Sequence, residues 1–472
     1  MLSPLDFLQS SRIHQLLGSL TSPSVRFEEP LDDELGTQPL PRRLPREVLY
    51  RIFECFGSTT YFGSVGYVFN KHYRDRRLIV EAVKKMRSNL CNAILVCKTW
   101  CIVGTQTLYR NPILLSLDEY KFFKNTLNNA SDLSPLVRDI SLFGFAWLKT
   151  APASDPFGIR GRQARACCST VLSILDSCQS LDTMTINIPM TCLAPTLLSQ
   201  SVGAIFASDT GISHRLRKLT LDGGASNSIF PTFTLPNLEV LCLRFSLFMN
   251  EFEFPPLPKV HTLILIEPFS WMNNKPLISK LVLPSLRTLE AYDWKYCGAT
   301  LDHYIISTIP LRTIHVLGRA GDPAFFESLL ESGALSKVRE LAVGVMEGPG
   351  HPFYGWIFPP SLKFLTVFLS LKPFTRLGMY IPATSDTFEQ LHRHLLLNAE
   401  SFALQTLDIY IPDASTFEIH PLGMEDVASK IDEIRDLCHT RGVKVRIELI
   451  DIDTWIIERL TSPLNSSVQI GS

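Results

Sequence analysis

One six-residue template returns along most of this chain, and it restricts the possible folds more than any other feature. An apolar residue, two variable ones, an apolar, one variable and another apolar read "LRKLTL" at 216, "LEVLCL" at 238, "VHTLIL" at 260 and "LRTLEA" at 286. The pattern continues as "LRTIHV" at 311, "VRELAV" at 338, "LKFLTV" at 362 and "LQTLDI" at 404, with looser copies "VRDISL" at 137 and "LDTMTI" at 181. Starts from 216 to 362 are spaced by about 22 to 27 residues. One such unit buries about three side chains at about 1.5–3 kcal/mol each, less than the cost of ordering two dozen residues at about 1–2 kcal/mol apiece. The units must therefore stack, which places their short strands side by side in a parallel sheet.

The spacing lies in the range of leucine-rich repeats, roughly 20 to 29 residues, and the template resembles theirs. Several copies carry a leading proline, Pro236, Pro258, Pro284 and Pro360, whose missing N–H falls before the ladder begins, so each unit is expected to start with a turn and enter a short strand. Regular repeats of this kind place Asn or Cys three residues after the last template position. Here Gly224, Ser246, Pro268, Trp294 and Arg319 stand there, so the turns must be satisfied by other groups and the loops should be irregular. The gaps at 137–181 and 362–404 are expected to hold insertions. A helix-like "MEDVASKIDEIRDLCHTRG" and an alternating "VKVRIEL", residues 443–449, close the repeat region.

Composition narrows the function. With 472 residues and 46% hydrophobic content the chain can build a large core, and 45 basic against 46 acidic residues leave a formal charge of -1. Nothing in that balance attracts nucleic acid or an anionic membrane. The 11 cysteines lie scattered, many beside apolar residues, which reads as reduced, core-packing thiols in the cytoplasm or nucleus. The first residues carry Asp6 and no basic leader, unlike a secretory signal. No apolar run is long enough for a membrane span.

Ahead of the repeats, "LPREVLYRIF" at 44–53 and "LVCKTW" at 95–100 read as two apolar helical stripes. Pro45 suits a first helical turn, with Val48, Leu49, Ile52, Phe53 and Phe56 following at helical spacing. Leu90, Ile94, Cys97 and Cys101 form the second stripe, expected as one short helix. Between them, residues 57–88 look inserted, with a basic cluster from Arg74 to Arg87 that reads as a solvated helix face or as a contact for an acidic partner. Residues 44–110 resemble an F-box, and with the repeats behind it the whole chain resembles an F-box/leucine-rich-repeat protein.

That resemblance implies an α/β chain with a small N-terminal helical bundle and an irregular repeat solenoid, an arc with a parallel sheet on its concave face. It implies that Leu44, Pro45, Val48, Leu49, Ile52, Phe53, Leu95, Val96, Trp100, Leu108 and Tyr109 hold a Skp-type adaptor, and through it a cullin scaffold. The repeats would recruit a protein for ubiquitination, making the chain the non-catalytic substrate receptor of a Skp-cullin-F-box ligase. The expected organisation is a lead-in at 1–40, the F-box-like region at 41–112, the repeats at 130–455 and a tail at 460–472.

Strand residues alternating away from the repeat core, Arg244, Glu290, Tyr292, His315, Phe364, Phe368 and Tyr410, are expected to line the concave face and bind the substrate protein. The alternative is that loops or a terminal segment cover them. Phosphate-loop, esterase and zincin motifs do not occur, and Cys97/Cys101 and Cys167/Cys168 lack a second pair at zinc spacing, so no cofactor and no metal site is expected. His392 and His394 read as helix-surface residues. Arg160, Arg162 and Arg165 read as an exposed loop or as a site for an acidic segment. A competing reading keeps the repeats as an interaction scaffold and gives the front helices only a capping role.

Overall fold

Four repeats enter their strands through the same turn. In "LPNL" the Leu238 N–H donates to the Leu235 carbonyl at 3.2 Å, and the bond recurs as Val260 to Leu257 at 3.3 Å, Leu286 to Leu283 at 3.1 Å and Leu362 to Pro359 at 3.0 Å. The prolines thus occupy the second position of a four-residue turn, where a fixed φ is favourable, and the strand begins four residues later. These four units thus start with a turn and then enter a short strand, as expected. The residue after each proline ties one turn to another: Lys259 Nζ donates to Asn237 Oδ1 at 2.6 Å, Ser285 Oγ to the Pro258 carbonyl at 2.6 Å, and Ser361 Oγ to the Val338 carbonyl at 2.8 Å.

The computed structural model describes residues 48–50, 52–53, 76–143, 159–188, 211–223, 235–244, 256–266, 282–292, 311–317, 334–344, 359–368, 371–374, 379–382, 392, 395–396, 403–411 and 421–449. The lead-in at 1–40, the segment 57–75, Leu44, Pro45, His394 and the tail lie outside them. The chain is α/β, built on parallel strands, and it divides into two compact units: Met1–Asn187 with Asp209–Arg215 and Leu460–Ser472, and Ile188–Ser208 with Leu216–Arg459.

In the first unit, α1 (Arg76–Ile94) and α2 (Lys98–Arg110) precede three parallel strands, β1 (Ile113–Leu114), β2 (Asp139–Leu142) and β3 (Thr183–Ile188). The expected single helix over 90–101 is two, because the chain breaks at Leu95–Cys97. Helix α3 (Leu117–Asn129) is capped by Ser116, whose Oγ accepts from Glu119 N at 3.2 Å while the Glu119 carboxylate accepts from Leu115 N at 2.8 Å. Helix α4 (Ile159–Ser177) fills the gap between the two looser repeats and packs on α3, so Arg160, Arg162 and Arg165 lie on a helix rather than a loop; their side chains are outside the described set. A short α5 (Ile212–Arg215) is tied back by Arg215, which donates to Gln179 and to the Leu175 carbonyl.

In the second unit, nine strands pair in parallel: β4 (Lys218–Gly223), β5 (Val240–Arg244), β6 (Thr262–Ile266), β7 (Thr288–Tyr292), β8 (Thr313–Leu317), β9 (Glu340–Gly344), β10 (Phe364–Phe368), β13 (Thr406–Ile411) and β14 (Lys444–Leu449). The 362–404 gap contains an antiparallel pair, β11 (Leu371–Phe374) with β12 (Met379–Pro382). Register never slips, so equal template positions are neighbours throughout, as in Leu263, Leu289, Ile314, Leu341, Leu365 and Leu407. Those core residues are buried. Helix α6 (Pro421–Thr440) ends at Gly442, whose φ of +69 lets Val443 N reach the Cys438 carbonyl at 2.9 Å and turn the chain into β14. No helix among the described residues is long and apolar enough to cross a membrane.

Candidate functional site

The head has its own core. Leu49 and Phe53 on the leading helical turn, Leu90 on α1 and Val103 on α2 are buried together, with Tyr50, Ala93, Ile94, Trp100 and Leu108 packed against them. The Trp100 ring meets Phe53 edge-on, centroids 5.4 Å apart. Gly104 allows this approach: a Cβ there would lie 2.5 Å from Ile94 Cγ1 and 2.9 Å from the Phe53 ring. The leading stripe and the second stripe, read from segments forty residues apart, therefore do form one device.

Its turn faces outward. Leu95 N donates to the Asn92 carbonyl at 3.2 Å and Val96 N to Ala93 at 3.1 Å, which closes α1; Cys97 is then extended, φ -161, and starts α2 without a side-chain cap. The consequence is that Leu95 and Val96 are 51% and 64% exposed, and Val48, on the segment whose Leu49 and Phe53 fill the core, is 41% exposed. Large aliphatic side chains left in water next to a formed core are the surface another protein would cover. Cys97 is exposed beside them.

The expected adaptor residues thus fall into distinct environments. Val48, Leu95 and Val96 are exposed; Ile52, Trp100 and Leu108 are half-buried; Leu49, Phe53 and Tyr109 are buried. For the last three, direct contact is corrected to a role in packing. Tyr109 stacks on Phe123 of α3 at 6.1 Å, and burial pushes its hydroxyl up to about 12, helped by Cys91 and Asp132. Arg87, from the basic cluster, pairs with Glu119 at 3.1 Å, a second tie to α3, while Lys84 and Lys85 are exposed.

The expected substrate-binding row in the second unit is also redistributed. Tyr292 is 0% and His315 1% exposed, and Glu290, Phe368 and Tyr410 are buried as well; Phe364 is half-buried, and the Arg244 side chain is outside the described set. An open concave face at these positions is therefore corrected. Their polar groups are turned on one another: Tyr292 Oη donates to Glu290 Oε2 at 2.7 Å, His315 Nε2 lies 2.9 Å from Glu340 Oε1, and His315 Nδ1 lies 3.7 Å from Glu290 Oε1. His315 thus lies between carboxylates of the two flanking strands, within hydrogen-bond distance of Glu340 and near Glu290. Farther along, Phe368 stacks on Tyr410 with centroids 4.9 Å apart, and Arg446, half-exposed, donates to Tyr410 Oη at 3.1 Å and pairs with Glu448 at 2.7 Å.

Among the described residues no group of three His, Cys, Asp or Glu is arranged to hold a metal ion. The thiols of Cys167, Cys168, Cys178 and Cys438 are buried, and burial pushes Cys178 up to about 12 and Cys438 to about 11. His392 is half-buried. A comparison with protein-family models gave no match, and a comparison with curated proteins gave none.

Proposed function

We propose that this chain is a substrate receptor: an F-box-like head docks on a Skp-type adaptor of a cullin-RING ubiquitin ligase, in the cytoplasm or nucleus, and the repeat region recruits a protein for modification. Catalysis belongs to other subunits. The observation that carries the reading is the exposure of Leu95 and Val96 in the "LVCKTW" stretch, on a turn set over a separate helical core. The docking set becomes Val48, Leu95 and Val96, with Ile52, Trp100 and Leu108 at their margins.

The test is co-purification with a Skp adaptor. The intact chain is expected to retain the adaptor, and a Leu95→Asp/Val96→Asp variant to lose it with an unchanged thermal melt, because both side chains already face water. Intact chain that never retains the adaptor would falsify the docking role. Adaptor binding should also shield Cys97 from a maleimide, a readout independent of the substitutions.

A second reading, a repeat scaffold whose front helices only cap the sheet, is favoured by the Tyr109–Phe123 stack and the Arg87–Glu119 pair, which fasten α1 and α2 to the unit that holds the first three strands. Capping alone leaves Leu95 and Val96 without a use. Failure of the adaptor experiment, with a large loss of stability on cutting the head away, would leave this reading standing.

A further inference from the structure

The second template position of each repeat stands just ahead of its strand, exposed or half-buried, and the register sets these positions next to one another. Arg287, Arg312, Arg339 and Lys363 are consecutive members of this row: Arg312 N donates to the Arg287 carbonyl, Arg339 N to Arg312 and Lys363 N to Arg339, each at 2.8 Å. The three arginines are exposed and Lys363 is half-buried. Four cations are thereby fixed in line over about 14 Å, three strand spacings of about 4.8 Å.

The same row shows what neutralisation looks like. Earlier in it, Arg217 makes two bonds to the Glu239 carboxylate, at 2.9 and 2.7 Å. The four later cations have no hydrogen-bonded or ion-paired side-chain partner among the described residues. The nearest acid in the register, Glu340, is engaged by His315 at 2.9 Å. Like charges held side by side across a sheet destabilise it, so folding gives no reason for the arrangement.

We infer that this row is a docking stripe for an extended acidic segment of a partner protein. Four to five extended residues, at about 3.3 Å each, span the stripe, and their carboxylates would meet three guanidinium groups and one ammonium. A nucleic acid fits less well. The stripe is short, the chain as a whole carries a charge of -1, and the exposed large apolar residues among those described, Val48, Leu95, Val96, Val282 and Leu396, include no aromatic on which a base could stack. The stripe does not depend on whether the head docks an adaptor.

Fluorescence anisotropy of the full chain with a labelled oligoglutamate peptide tests it, with a single-stranded oligothymidylate as comparison. The peptide is expected to bind in a saturable, salt-weakened manner. Arg312→Glu/Arg339→Glu should weaken binding at least about tenfold, and Lys430→Glu/Arg435→Glu, an equal change of net charge on α6, less than about twofold. Arg312→Gln/Arg339→Gln guards against misfolding: it should weaken binding while leaving the melting temperature unchanged or raised, since like-charged neighbours are removed. Absence of saturable binding, equal loss from both charge reversals, or oligothymidylate binding as tightly as the peptide overturns the proposal.

Discussion

In the head, Leu49, Phe53, Leu90 and Val103 make one small core and Leu95 and Val96 stand outside it; in the repeat ladder, Leu289 and Tyr292 point to opposite faces of one strand and both are buried. The difference is one of geometry. A short helical pair has one apolar stripe per helix, so a turn between helices can expose its side chains without opening the core. A central parallel strand is covered on both faces, and its neighbours supply half of that cover. A free surface in the ladder therefore has to come from strand starts and turns, where Arg287, Arg312 and Arg339 are exposed, rather than from the strands themselves.

Substitutions that respect or violate this contrast should separate by size. Phe53→Ala removes the aromatic centre of the head core and should cost about 3–5 kcal/mol, read from urea unfolding. Leu95→Ala, one turn of chain from that core, should cost no more than about 0.5 kcal/mol. Comparable losses at both positions would mean that Leu95 and Val96 are covered in the folded chain and that the contrast is wrong.

In the ladder, His315→Ala should cost about 1–3 kcal/mol, because it removes a buried side chain within hydrogen-bond distance of Glu340 on β9. A thermal melt reads the loss, and a His315→Ala protein as stable as the parent would show that this contact contributes nothing. Native-state alkylation mapped by mass spectrometry gives a finer view. Among the described cysteines Cys97 should label first, while Cys178 and Cys438, sheltered and held as thiols by burial, label only as their surroundings open. Early labelling of Cys438 would mark the α6–β14 end as a locally unfolding part of the ladder.

The smallest expected effect is on pH dependence. Burial holds His261 below its ordinary 6.5, with Arg287 and Arg217 adding to the effect and Glu239 opposing it. An unfolded chain then takes up the proton before the folded one does, so this contribution is present above pH 6.5 and is lost as pH falls from there toward the folded value. His261→Gln should flatten the urea midpoint slightly between about pH 7 and about pH 5, and the change should be small because the side chain is partly exposed.

Much of this was legible in the sequence. The template located the nine parallel strands described in the second unit once "VKVRIEL" is included, though not the β11–β12 pair, and the helix before "VKVRIEL" ends at the glycine that its pattern indicates. The head stripes named Leu49, Phe53 and Leu90 of its core but not Val103, and they included Cys97, which is exposed. The prolines marked the turns that lead into four of the strands. The break at Leu95–Cys97 was missed because apolar spacing runs straight through it. The missed functional signal was the second template position: the basic residues were visible in "LRTL", "LRTI", "VREL" and "LKFL", but alternation alone directed attention to the strand faces.

The sequence by itself determined the period, the core side of every strand and the existence of a helical head, because those follow from spacing within a few residues. Only the tertiary structure decided which apolar side chains remain uncovered, that Tyr292 and His315 are sealed, and that cations some two dozen residues apart become neighbours. Burial of a face and summation of charge depend on segments distant in the chain, and register, fixed by the stacking of whole repeats, is what brings those segments together.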